Sequence, residues 1–218
     1  LYYLFPGFTI HYYRQAQTAM TALYLPGEGF KLNYSTPIMG HPWTVPLEFP
    51  LFQWLAVLLQ KISGSDLIVC GKLINIACHI INNILLIRLF KQQQVPEEAT
   101  FIGLIFYNLF PFYLVFDTVF LVDGFSLTLS FTAAYFLSLF LTKEKRISYG
   151  ILFLLFATLT GISKSTTFVG VLAPLTAVLL IKILVEKEGF SKLFALQLPT
   201  VKKVFTAGLF FVLAFAVM

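Results

Sequence analysis

The sequence predicts an all-α fold: a polytopic bundle of transmembrane helices with an outer-face loop that carries interfacial helices. Three observations lead there. Of 218 residues, 58% are hydrophobic and 11% charged, whereas soluble domains average about half and about a quarter. Phe alone occurs 25 times, and the mean hydropathy is +0.85. The apolar residues also gather into long runs, and a bilayer core of roughly 30 Å needs about 20 of them in helical form.

Taken in order, the first 64 residues read as a mostly extramembrane segment. "LYYLFPG" looks like the tail of a preceding span, and the chain ends inside the apolar run "AGLFFVLAFAVM". The expectation is therefore an internal fragment, with residues 1–218 forming a single transmembrane domain and 6–64 its first non-cytoplasmic loop. Within that loop the stretch 49–63 is too short to span, and it ends in Lys61 and "SGSD". It reads as an interfacial helix. Trp43, Trp54 and the tyrosines at 12, 13 and 34 suit the headgroup layer. Spans are then predicted at 66–90, 99–116, 119–141, 147–163 and 168–186, with a sixth starting near 204.

The links between spans differ in charge. "RLFKQQQ" (88–94), "TKEKR" (142–146) and "EKEGFSK…VKK" (186–203) hold most of the Lys and Arg, and they alternate along the chain with links that hold few. The positive-inside rule makes the basic links cytoplasmic. The formal charge of +5 is thus scattered between oily runs and forms no stripe for nucleic acid. Cys70 and Cys78 share one apolar segment and read as packing residues. His11 and His41 have no Cys or His at zinc-ligand spacing.

The opposite face collects polar groups. They are Arg14, Gln15 and Gln17 from "YYRQAQTAM", His41 and Glu48 from "HPWTVPLEFPLFQW", Asp117 and Asp123 from "FDTVFLVDG", and Lys164 from "GISKSTT". By these boundaries Asp123 lies about two turns inside a span, where an ionisable group is costly and is usually tied to a site or a partner. Lys164 is a natural partner. Plainer roles stand beside this: Lys164 snorkelling, Asp117 capping a helix, Glu48 complementing a helix dipole. In "CHIINNILL", His79, Asn82 and Asn83 suit hydrogen bonds between helices. These residues make a polar pocket at the outer face. They fit an enzyme or a transporter equally.

The order of parts narrows the choice. "RQAQTA", then "PLEFPLFQWL" running into "LLQKISGSD", then "FPFYLVFDTVFLVDGFSLTLSF" and "LTGISKSTTFVG", resemble the type C membrane glycosyltransferases. The likeness is to the bacterial dolichyl-phosphate-mannose-protein mannosyltransferase-like and aminoarabinose-transferase-like branch. It implies a multi-pass protein of the bacterial plasma membrane, serving the cell envelope. Such a protein would move a sugar from a polyprenyl-phosphate carrier to a lipid, glycan or protein acceptor on the non-cytoplasmic side. It also implies roles. Glu48 and Asp123 match catalytic acids, and Glu48 is a candidate ligand for a divalent Mg or Mn ion. Arg14, Gln15, Gln17, His41 and Lys164 would bind the substrate or its phosphate. Two departures stand out. Gln17 occupies the place of an acid in relatives and cannot act as a base, and Phe49 and Thr118 replace basic neighbours. A transporter or lipid-linked-sugar flippase, or a non-catalytic relative, would use the same polar groups. A transporter should show two related, Gly/Pro-interrupted halves, and no internal repeat is visible.

Overall fold

A computed structural model describes residues 12–28, 48–110, 119–142 and 146–188. The described residues form helices and no strand: α1 (Tyr12–Glu28), α2 (Leu51–Ser63), α3 (Leu67–Gln92), α4 (Glu97–Leu109), α5 (Asp123–Thr142), α6 (Ile147–Ser163) and α7. The last starts at Ser165, passes through a π turn at Phe168–Leu172, and continues as Ala173–Glu188. Two helices, Leu67–Gln92 and the Asp123–Leu141 stretch, are long and apolar enough to cross a membrane; Ile147–Ser163 and Ser165–Ile181 are shorter apolar helices.

Side-chain polarity supports the membrane reading. Val69, Leu73, Ile76, Ile80, Ile84 and Ile87 make an exposed stripe along α3, whereas Asn75 and Asn82 are buried. Water would favour the reverse arrangement. Hydrocarbon favours this one, because interhelical polar contacts are then kept away from lipid. His79 Nε2 meets Asn108 Oδ1 at 2.9 Å, and Asn108 Nδ2 donates to Asn83 Oδ1 at 2.7 Å. This is the hydrogen bonding expected of "CHIINNILL".

The chain divides into two compact units. The first holds the residues up to Asn83, Asn108–Thr128 and Ile162–Lys164. Its core is built on small residues. Ala16, Ala19 and Ala22 are buried on α1, and Phe52, Gln53, Ala56 and Val57 form the buried face of α2, which packs on α1. Phe120 lies in this core, with its ring centroid 5.4 Å from that of Phe52. It also fills a notch on α3 that only glycine leaves open: a Cβ on Gly71 would sit 1.9 Å from Phe120 Cδ2. Gly64 closes α2 in the left-handed conformation at φ 68°, and Asp66 then starts α3, its Oδ1 accepting from Ile68 N at 2.8 Å.

The second unit holds Ile84–Tyr107, Leu129–Gly161 and the residues from Ser165 on. Leu85, Leu86, Leu89 and Phe90 are buried there, with Phe131, Ala133, Ala134 and Leu137. Phe131 meets Tyr107 edge-on at 6.3 Å, and Gln93 Nε2 donates to Ser138 Oγ at 2.6 Å. The links near 64 and 164 fall in the first unit, and the basic links near 94 and 146 in the second.

Two boundaries move. The span expected over 99–116 is helical only to Leu109 within the described residues. The span expected over 119–141 starts at Asp123, so Asp123 is its first residue and does not lie two turns inside. The cause is local. Asn75, fully buried on α3, donates through Nδ2 to both Val119 O (2.7 Å) and Leu121 O (2.8 Å). Gln15 Oε1 accepts from Phe120 N at 3.4 Å. These side chains take backbone groups that a helix would use for itself, so Val119–Val122 stays open. In consequence, Gly71→Ala should lower the thermal midpoint of the purified protein in nanodiscs by an overpacking cost of about 1–3 kcal/mol. Gly170→Ala, with nothing within 4 Å of the new carbon, should leave it unchanged or raised. Equal midpoints for the two variants would contradict the notch.

Candidate active site

Three connections of the first unit assemble the site. The first is the entry to α2. Pro50 is its N-cap, and Glu48 stands two residues before it. Phe49 N donates to Ile162 O at 3.0 Å, tying this segment to the last turn of α6. The Phe49 ring packs edge-on against Trp54 at 5.2 Å. The second connection is the break between α6 and α7, where Lys164 stands. The third is the open turn held by Asn75, which delivers Asp123 at the start of α5. An acid at a helix start and a cation just past a helix end each complement the local dipole.

The charges meet there. Lys164 Nζ donates to Asp123 Oδ1, with both side chains largely sequestered. Arg14 Nη1 lies 3.8 Å from Glu48 Oε1; Glu48 is 20% exposed and Arg14 62%. Burial pushes the Glu48 carboxyl above its ordinary value, Lys164 and Arg14 pull it down, and Asp123 adds to the rise. One pocket is lined by Arg14, Gln17, Thr18, Thr21, Glu48, Gln53 and Asp123, with Leu121 and Val122.

The residues singled out in the sequence therefore divide. Arg14, Glu48, Asp123 and Lys164, spread over 150 positions (164 − 14), come together, and Gln17 joins them at the pocket wall. Gln15 is fully buried, and its oxygen supports the Phe120 turn. His41 and Asp117 lie outside the described residues. Thr18, Thr21, Gln53 and Asn75 were not singled out. The first two had a visible signal, since positions 14, 17, 18 and 21 share one helical face.

For a resident divalent ion the donor set is a poor match. Such ions take about six oxygens, and no group of three or more His, Cys, Asp or Glu side chains forms among the described residues. Glu48 and Asp123 already face Arg14 and Lys164, which supply the positive charge that a metal would bring. These residues do not fit a metal.

A family model described as dolichyl-phosphate-mannose-protein mannosyltransferase matches residues 41–216, most of the chain. The chain belongs to that family. It is a membrane glycosyltransferase of the type C kind, mannosyltransferase-like. No curated protein and no solved structure matches it. Within the mannosyltransferase match lie Glu48, Gln53, Asp123 and Lys164; Arg14 and Gln17 precede it.

The ion pairs differ in what they are worth. An exposed pair such as Arg14–Glu48 contributes about 0–1 kcal/mol. Removing one partner of a sequestered pair strands the other charge and costs more. Lys164→Met should therefore destabilise the protein by upwards of about 1 kcal/mol. Adding Asp123→Asn should recover part of that loss, read as the midpoint of chemical unfolding in micelles. A double variant as unstable as the sum of the singles would mean that the two residues are not coupled.

Proposed function

We propose that the chain transfers a sugar from a polyprenyl-phosphate carrier to an acceptor hydroxyl at the non-cytoplasmic face, with Glu48 as the base. The observation that carries this reading is the convergence of Glu48, Arg14 and Asp123 at one pocket, with Lys164 paired to Asp123. In the step, the acceptor oxygen attacks the anomeric carbon of the sugar. Its proton passes to Glu48, and the bond from the anomeric carbon to the phosphate oxygen breaks with its electron pair going to the phosphate. Arg14 is the more exposed cation and suits the growing phosphate charge. Lys164, engaged by Asp123, acts at longer range by lowering the Glu48 carboxyl toward ionisation. Glu48 titrates above ordinary carboxylates, which suits a base, because proton transfer is most effective when the catalytic group titrates near working pH. The acceptor would be a lipid, glycan or protein hydroxyl.

The sign of the pH dependence follows. The ionised form is the active one, so kcat/KM rises with pH through the raised Glu48 value and then levels. Folding runs the other way: a raised carboxyl holds its proton more tightly in the folded state, so its contribution to stability fades as pH rises through that value. In the full-length enzyme, Glu48→Gln should cut transfer at least about 100-fold, or about 2.7 kcal/mol of barrier. It should also abolish the acid limb, while Lys164→Met moves that limb upward. Near-normal transfer by Glu48→Gln would remove Glu48 from the chemistry.

Sidedness is tested separately. Cys70 and Cys78 are buried, so background labelling is low. An impermeant thiol reagent applied from the non-cytoplasmic side should modify a cysteine placed at Tyr34 and spare one at Lys145. The opposite pattern would reverse the orientation.

A further inference from the structure

The mechanism leaves one wall of the pocket without a role. Gln53 is 2% exposed, and its Oε1 has no hydrogen-bond partner although the residue lines the pocket. Opposite in sequence, on α1, Thr18 and Thr21 line the same pocket. Both hydroxyl protons are committed: Thr18 Oγ1 donates to Arg14 O at 3.0 Å, and Thr21 Oγ1 to Gln17 O at 3.1 Å. What remains on these three side-chain oxygens is lone pairs. A buried acceptor left unsatisfied is costly, so this wall calls for a ligand that brings donors.

Position says which ligand. On α1, Thr18 and Thr21 stand one and two turns beyond Arg14, about 6 and 10 Å along the axis. That is the scale of one sugar ring measured from a phosphate at Arg14.

We infer that Gln53, with Thr18 and Thr21, forms the subsite that reads the hydroxyl groups of the donor's sugar. The inference rests on the transfer reading and adds to it the residue that separates a glycosylated carrier from a bare one. Gln53 is a binding and specificity residue; Glu48 and Arg14 do the chemistry.

The test uses full-length protein in nanodiscs and two probes, polyprenyl phosphate and polyprenyl-phosphate mannose, with affinity measured for wild type, Gln53→Met and Thr21→Val. Gln53→Met keeps the length of the side chain and removes the acceptor. It should weaken binding of the mannosyl lipid about tenfold, the worth of one hydrogen bond, and leave the bare phosphate unchanged. Thr21→Val should act in the same direction, and it carries the test if Gln53→Met does not fold. Loss for both probes alike, or for neither, would overturn the subsite. Wild-type protein that binds the bare phosphate and mannosyl lipid equally would also overturn the subsite while leaving the transfer chemistry standing. Wild type that binds neither would defeat the transfer reading itself.

Discussion

The contact between Lys164 and Asp123 is the constraint on which the site depends. It joins the end of α6 to the start of α5, two points 41 residues apart. Each charge offsets the other at these partly screened positions. Once joined, they fix where Glu48 must stand, because Phe49 N is bonded to Ile162 O, two residues before Lys164. An ion pair, a backbone bond and a proline-started helix thus bring three connections to one place. Arg14 then closes the set from α1 across a looser, more exposed contact. Under the proposed transfer, a group that meets a lipid-borne phosphate benefits from such exposure, whereas a charge that only tunes its neighbour benefits from being held.

How much of this was legible in the sequence depends on the kind of signal. The helical membrane class was written in composition and in run length, which need no tertiary knowledge. The grouping of Glu48, Asp123 and Lys164 was legible too, because few charged residues fall between the basic links and each is costly enough to need a reason. The depth of Asp123 was not. In "FDTVFLVDG" the run VFLV before Asp123 is apolar, and by hydropathy it continues the span. What ends the helix is Asn75, 48 residues earlier, whose amide holds two carbonyls of that segment. No local pattern encodes a partner so remote. Gln53 escaped notice for the opposite reason: a single amide in "LFQWL" looks like the polar side of an interfacial helix, yet it lies on the buried face of α2 with Phe52 and Ala56.

The same contrast separates the two kinds of polar residue in this chain. His79, Asn83 and Asn108 satisfy one another, and a closed set of that kind holds helices together in lipid without inviting a ligand. The pocket residues are arranged otherwise. Thr18 and Thr21 turn their protons to their own helix, and Gln53 keeps an oxygen unpartnered. Incomplete satisfaction is tolerated where a substrate completes it.

Gln17 gives the last step. In relatives that the sequence resembles, an acid stands at that position. Here the amide lines the pocket together with Glu48 and Asp123. An acid at 17 would add a third carboxylate to a cluster whose two acids are balanced by two cations, and like charges so close raise one another's affinity for protons. With glutamine there, the cluster stays neutral, and Glu48 is left as the carboxyl that burial holds above the ordinary range against the pull of Lys164 and Arg14. Asp123 cannot replace it without giving up Lys164. Under the proposed transfer, the substitution that at first removes a base from this chain thus leaves the proton-accepting role to a single residue, the glutamate set between the prolines.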